Sequence, residues 1–216
     1  MASSGPEALG WFKEPIKNMD DFRKYRFRTP PGIPGQTYKD IGIASVSLSG
    51  GDILPALEKG TIDAAEWCCP KPDSVFGFQK VLKNYYLQGL HQNVVNGDIY
   101  INGDVYNSLT DHQKYAMEVA SEAMITRNIT NRAVENGKAL IDLTENHGVK
   151  LWDTPADYFT EYMNAAQATL KKNAASNAFF KEVYEHMTAH AKIVVPFIAQ
   201  METSDASIGT AFASQQ

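Results

Sequence analysis

The chain has 216 residues, 44% of them hydrophobic and 21% charged, with a net charge of −5 and an isoelectric point near 5.5. That composition supports a buried core in one large domain or two small lobes. The acidic balance excludes the electrostatic footprint of a nucleic-acid binder, and no run approaches the roughly 18 apolar residues that a membrane span needs. Met1-Ala2-Ser3-Ser4-Gly5-Pro6 lacks a basic stretch followed by an apolar one, so it does not read as a signal peptide.

In chain order, Met19 to Tyr25 reads as a short polar helix with Asp20 and Asp21 in its first turn. Tyr25-Arg26-Phe27-Arg28-Thr29 alternates and runs into Pro30-Pro31-Gly32, a strand ended by a turn. A brief helix is expected from Gln36 to Ile41, and Ile43 to Leu48 alternates as a second strand. The following Ser49-Gly50-Gly51-Asp52 predicts a tight turn into a helix, with Asp52 at its positive end and Gly60 as its left-handed stop. Ile62-Asp63-Ala64-Ala65 then returns as a strand and delivers Glu66 and Trp67 at its end, where α/β proteins place ligands. Pro70 and Pro72 break the chain before a helical stretch around Ser74 to Leu82, and Asn84 to Gly89 and Val94 to Ile101 read as further strands. Alternating strands and helices predict an α/β fold with a mostly parallel sheet covered by helices.

From Thr110 to Asn146 there is no proline, and Thr110 caps a single helix spanning on the order of 50 Å, long enough to bridge two bodies. Ala116, Val119, Ala120 and Ala123 make its apolar face. Gly148 ends it, Val149 to Trp152 is a short strand, and Pro155 opens another helix. Ala175 to about Met201 forms the last helix, with Pro196 inside it, and the residues after Ser204 read as a polar tail. The organisation is therefore 1–109 as an α/β lobe, 110–147 as a connecting helix, 148–203 as a strand and C-terminal helices, and 204–216 as the tail.

The phrase Ser49 to Trp67 resembles the signature of the solute-binding proteins of tripartite ATP-independent periplasmic (TRAP) transporters, which capture organic acids. Gly10-Trp11-Phe12-Lys13-Glu14-Pro15-Ile16 is similar to a segment the family carries before its binding strand, and Arg26-Phe27-Arg28-Thr29-Pro30 resembles its arginine strand. Glu66-Trp67 matches the acid–aromatic pair of the branch that binds 2-keto and 2-hydroxy acids. His91 resembles the His-Glu-Pro-Gly segment of that branch, with Gln92 standing where the branch has an acid. The matches occur in family order and imply a periplasmic-binding-protein-like lobe from which the N-terminal lobe and the signal peptide are missing. They also imply a periplasmic location and docking on a membrane permease.

The resemblance implies that Arg28 grips the ligand carboxylate, a task that suits a planar guanidinium fork. Glu66 and the backbone carbonyl of Trp67 are hard oxygen donors suited to Na⁺ or Ca²⁺, and the resemblance implies a cation bridging protein and substrate. Glu7 falls near a position where the family often coordinates this cation with an amide. His91 and Gln92 complete the expected substrate site.

Tyr85, Tyr86, Phe76 and Phe78 could line the pocket or belong to the core, and aromatic residues of an α/β domain favour the core. His186 and His190 have i, i+4 spacing but no third ligand, which reads as a helix face. Cys68 and Cys69 are adjacent, so they are either two small, partly buried thiols or a redox pair. No nucleophile elbow or P-loop lysine appears. An enzyme is thus the weaker class, with a truncated fragment that binds nothing as the remaining alternative. A lobe severed from its partner is expected to expose apolar surface on its long helix and to dimerise or aggregate.

Overall fold

The computed structural model describes residues 2–213. Its elements in chain order begin with β1 (Ala2–Ser4), β2 (Gly10–Phe12), α1 (Met19–Phe22), β3 (Arg26–Arg28), α2 (Ile33–Asp40) and β4 (Ala44–Val46). They continue with α3 (Gly50–Glu58), β5 (Ala64–Ala65), α4 (Pro70–Phe76), a 3₁₀ turn (Phe78–Lys80), β6 (Asn84–Tyr86), β7 (Val95–Gly97) and α5 (Gly103–Ser108). The chain ends in α6 (Asp111–Asn146), β8 (Lys150–Trp152), α7 (Ala156–Ser176) and α8 (Ala178–Ala213).

Six strands form one sheet in the order β4-β3-β5-β2-β6-β8, in which β2 runs antiparallel to both neighbours and the other three pairings are parallel. The α/β class and the mostly parallel sheet are as the sequence leads one to expect. The strand β2 is not: Gly10-Trp11-Phe12 is too short to show alternation, yet it joins the two parallel halves. β7 pairs instead with β1 in a separate two-stranded ladder. Pro70 and Pro72 do not precede the helix but start it. Pro70 is its first residue, where a missing N–H costs nothing.

Alternation along the sheet feeds two cores. Phe12, Phe27, Ala64 and Tyr86 point to one face, where α1, α2 and the first turns of α7 supply Met19, Phe22, Tyr38, Tyr158 and Tyr162. Trp11, Ala65 and Tyr85 point to the other, against Ile53 and Leu57 of α3, Phe78, Leu82 and Leu143 of α6. Tyr85, Tyr86 and Phe78 are therefore core residues, and Phe76 packs on the second core from its edge.

The long helix is capped as expected. The Thr110 hydroxyl accepts from the Gln113 amide, and the Gln113 side chain accepts from the Thr110 amide, a capping box. Its C-terminal half packs through Ala139 and Leu143, whereas Val119, Met124, Ile129 and Val134 are exposed. The chain divides into two compact units that meet at Ala166 and Gln167. The second unit carries α8, whose helix continues past Met201 to Ala213 where the sequence reads as an irregular tail; 214–216 lie outside the described residues. His186 and His190 are exposed on this helix. Among the described residues no helix is long and apolar enough to cross a membrane.

Phe12 meets Phe22, Tyr25, Phe27 and Tyr86 at ring-centroid distances of 5.0 to 5.9 Å. Truncation to Phe12→Ala empties the centre of that cluster and should cost about 3–5 kcal/mol, read as a lower urea midpoint. A conservative Phe12→Leu should retain most of the stability.

Candidate functional site

Parallel strands β3 and β5 end together, β6 ends beside them, and the antiparallel β2 begins at the same edge. The topology therefore delivers four side chains to one place: Arg28 at the end of β3, Glu66 just past β5, Glu7 ahead of β2 and His91 beyond β6. All four are buried. Backbone bonds lock the segments in register, with Glu7 N–H donating to the Gln92 carbonyl (3.0 Å) and Ala8 N–H to the Cys68 carbonyl (2.7 Å). Gln92 thus reaches the site through its backbone.

One ligand atom from each of Glu7, Glu66 and His91 lies within 4.8 Å of the others. His91 Nε2 stands 3.4 Å from Glu66 Oε2 and 3.7 Å from Glu7 Oε2. Neither His91 Nε2 nor Glu7 Oε2 has a hydrogen-bond partner, although both are buried. Such atoms are costly to bury unless something binds them. Burial lowers the His91 imidazole, but the facing Glu66 and Glu7 carboxylates outweigh it and hold the ring above its usual value. Behind it Tyr38 Oη lies 3.4 Å from His91 Nδ1 and 3.1 Å from Tyr158 Oη, which accepts from Leu90 N–H. Burial raises both phenols, Tyr158 to about 12, so the relay is neutral.

Arg28 is held from two sides. Its Nε and Nη2 donate to the Leu48 carbonyl at 3.2 and 3.1 Å, while Nη1 donates to the Glu66 carbonyl at 2.9 Å and to the Glu66 carboxylate. The guanidinium carbon sits 5.3 Å from the centre of the Trp67 ring, a cation–π contact. Trp67 leans on Phe76 at 4.9 Å, and a Cβ on Gly50 would come within 2.8 Å of its ring. Gly50 is thus glycine for space, since neither it nor Gly51 has positive φ and both lie in regular helix α3. The left-handed conformation belongs to Gly60, at φ 67°, as its place after the helix predicts.

Asp73 is a residue that sequence reasoning missed. It is fully buried, and its two oxygens accept from Trp11 Nε1 (2.9 Å), Tyr85 Oη (3.0 Å) and the amides of Cys68 and Cys69 (3.0 and 3.1 Å). It ties the segment after Trp67 to strands β2 and β6. The available signal was an acid in the first turn of a proline-started helix, which describes many solvated residues equally well.

Residues 2–177 match the model of the bacterial extracellular solute-binding proteins, family 7. The chain belongs to this family. It is 34% identical over 197 residues to the monocarboxylate 2-oxoacid-binding periplasmic protein of Nostoc sp. PCC 7120, covering 88% of this chain and 52% of that protein. A TRAP transporter solute-binding protein from Bordetella bronchiseptica RB50, crystallised as a dimer with copurified calcium and picolinate, superposes with a TM-score of 0.80 at 27% identity. That match covers 100% of this chain and 64% of the Bordetella protein. The TRAP solute-binding protein of Pseudoalteromonas atlantica T6c, with bound sodium and pyruvate, shares the fold with a TM-score of 0.71 at 23% identity over 92% of this chain and 62% of that one. The family 7 chain described here thus spans about half the length of its curated relative. Family 7 is a family of extracellular solute-binding proteins.

Two outcomes follow from this geometry. Gly50→Ala should lower stability by about 1–3 kcal/mol because the Trp67 ring must shift, whereas Gly51→Ala, with open space around it, should raise stability by up to about 1 kcal/mol. Thermal melts of the two variants distinguish them. The second outcome concerns pH. Burial pushes the Asp73 carboxyl from 3.8 up to about 7, against the pull of its donors, and the Tyr85 hydroxyl can rotate to accept from the protonated acid. The native state therefore holds a proton that the unfolded chain has released, and the stability it contributes is present below pH 3.8 and lost as pH rises through 7. Asp73→Asn cannot titrate and should flatten that slope when urea midpoints are compared at pH 5 and pH 8.

Proposed function

We propose that this chain forms the cation- and carboxylate-binding wall of a TRAP receptor for a small 2-oxo or 2-hydroxy monocarboxylate. The observation that carries the reading is the convergence of Glu7, Glu66 and His91 beside Arg28 at one sheet edge, with His91 Nε2 and Glu7 Oε2 lacking hydrogen-bond partners. The Nostoc relative is named for 2-oxoacids, and the Bordetella protein holds picolinate with calcium. A 2-oxo acid and picolinate share one chemistry: a carboxylate oxygen and an adjacent oxygen or nitrogen that together chelate a cation.

Glu7, Glu66 and the Trp67 carbonyl would hold the cation, which supplies a positive centre for the ligand carboxylate. Once a cation takes the place of the proton that Glu66 and Glu7 favour on His91, two carboxylates and one guanidinium leave the site one negative charge. A divalent ion with a monocarboxylate adds one positive charge and balances it, whereas sodium with the same ligand does not. Glu7, where the family often has an amide, therefore favours calcium over sodium. Arg28 makes four hydrogen bonds already, so Glu66 must turn its carboxylate away before Nη1 and Nη2 can grip a ligand. Cation and acid binding are coupled through that one side chain. His91 and Gln92 form the adjoining wall.

We also assign 1–109, completed by β8 and the first turns of α7, to the binding lobe and 110–147 to the connecting helix. The exposed face of α6 is one that a second lobe or a second copy of the chain would cover. A periplasmic location and docking on membrane permease subunits complete the proposal, with the family as their support.

The test is calorimetric titration of calcium into the purified chain, then of pyruvate into the calcium-loaded chain. Glu66→Gln and Glu7→Gln should each weaken calcium by about tenfold or more, one charge-assisted contact being worth roughly 1.5–3 kcal/mol. Arg28→Lys keeps the charge but loses the fork, and should weaken pyruvate by about one to three decades. Arg26→Ala should leave both affinities intact, since Arg26 opens β3 at the strand end away from the site and pairs there with Asp63. Equal calcium heats in wild type and both glutamine variants would remove the cluster from this role.

A further inference from the structure

Directly after Trp67 the chain places two free thiols side by side: Cys68 Sγ and Cys69 Sγ lie 2.8 Å apart, Cys68 half-buried and Cys69 buried. Cys69 also forms part of the wall of a cavity of about 440 Å³, shared with Pro70, Leu87, Ile129, Arg132 and Asn136. The cavity is largely apolar, and its cationic group, Arg132, is anchored by donating to the carbonyls of Gly5 and Pro6. None of these residues belongs to the carboxylate site. A thiol on the wall of a cavity wide enough for a small molecule, with a guanidinium on the same wall and a second thiol in contact, has what a reversible oxidation site needs: access, a positive neighbour and a resolving sulfur.

We propose that Cys68 and Cys69 are a two-electron oxidation site, closed by a peroxide-class oxidant entering through this cavity. The Cys69 sulfur attacks a peroxide oxygen; the O–O bond breaks, a first water or alcohol leaves, and Cys69 becomes a sulfenic acid. The Cys68 sulfur then attacks the Cys69 sulfur, the S–S bond forms as the S–O bond breaks, and the hydroxyl departs as water with the Cys68 proton. The two thiols lose two electrons and two protons in all, and the peroxide takes up both.

Adjacent Cα atoms stand about 3.8 Å apart across a trans peptide, below the usual separation of roughly 4.4–6.8 Å for a disulfide. The closed form is therefore strained, and strained disulfides are the readily reduced ones, so a small thiol should reopen it. The site sits at a joint: the amides of both cysteines bond Asp73, and the Cys68 carbonyl bonds the amide of Ala8, next to Glu7.

The experiment treats the purified chain with hydrogen peroxide, alkylates it under denaturing conditions with iodoacetamide, and measures intact mass with a peptide map across 68–69. The wild type should lose about 2 Da, the two hydrogens of a disulfide, should resist alkylation at both cysteines, and should regain both thiols with dithiothreitol. It should also stay a single chain on a non-reducing gel. Cys68→Ser and Cys69→Ser cannot close the bond, and should instead gain oxygen on the remaining sulfur or cross-link between chains. A wild-type chain that keeps two alkylatable thiols, gains oxygen on one sulfur without losing the pair, or cross-links as readily as the serine variants overturns the proposal. The wild-type peptide map decides this even where a variant folds poorly.

Discussion

Strand β2 is the constraint on which the rest of this molecule depends. On one side it bonds β5, and through it β3 and β4; on the other it bonds β6, and through it β8. Without it the sheet is two separate ladders with no shared core. Its two large side chains point to opposite faces, Trp11 into one core and Phe12 into the other, because successive residues of a strand alternate. A three-residue element thus couples both hydrophobic layers, and its antiparallel direction brings Glu7 to the edge where the parallel strands end.

The site itself is an electrostatic compromise in a place closed to water. Two carboxylates, a guanidinium and an imidazole are buried together, and buried charges persist only when paired or bound. Arg28 is satisfied by Leu48 and Glu66, and the Tyr38–Tyr158 pair steadies His91 from behind. The remaining mismatch lies between Glu7 Oε2 and His91 Nε2, two buried atoms without a hydrogen-bond partner. Asp73 holds the neighbouring segment in place through four hydrogen bonds, so the geometry of the Glu66–Trp67 pair is built from the sheet and from α4 together.

Punctuation made much of the fold readable in the chain. Thr110 with Gln113 opens the 36-residue helix where the capping pattern says it should, and Gly60 and Gly148 stop helices in left-handed geometry. Arg28, Glu66, Trp67 and His91 stood out because a family pattern linked residues far apart in sequence. Glycine misled in one place: the pair at Gly50 and Gly51 reads as a turn, whereas Gly50 yields space to an indole. The prolines at 70 and 72 read as breakers, whereas Pro70 begins a helix.

The sequence by itself determined most of the helices and parallel strands, which depend on local propensity, capping and short-range periodicity, and it determined the family through motifs that recur in order along the chain. Only the tertiary structure decided that Gly10-Trp11-Phe12 is the central strand, that Asp73 is a buried four-fold acceptor, and that Arg28 is already engaged by Glu66. Each of these rests on pairings between residues 38 to 74 positions apart: Arg28 with Glu66, Asp73 with Trp11, and Tyr85 with its strand partner Trp11. No local pattern encodes such contacts. They exist because an unpartnered polar group is costly in the interior, and the partner it finds is whichever group the closing sheet brings near.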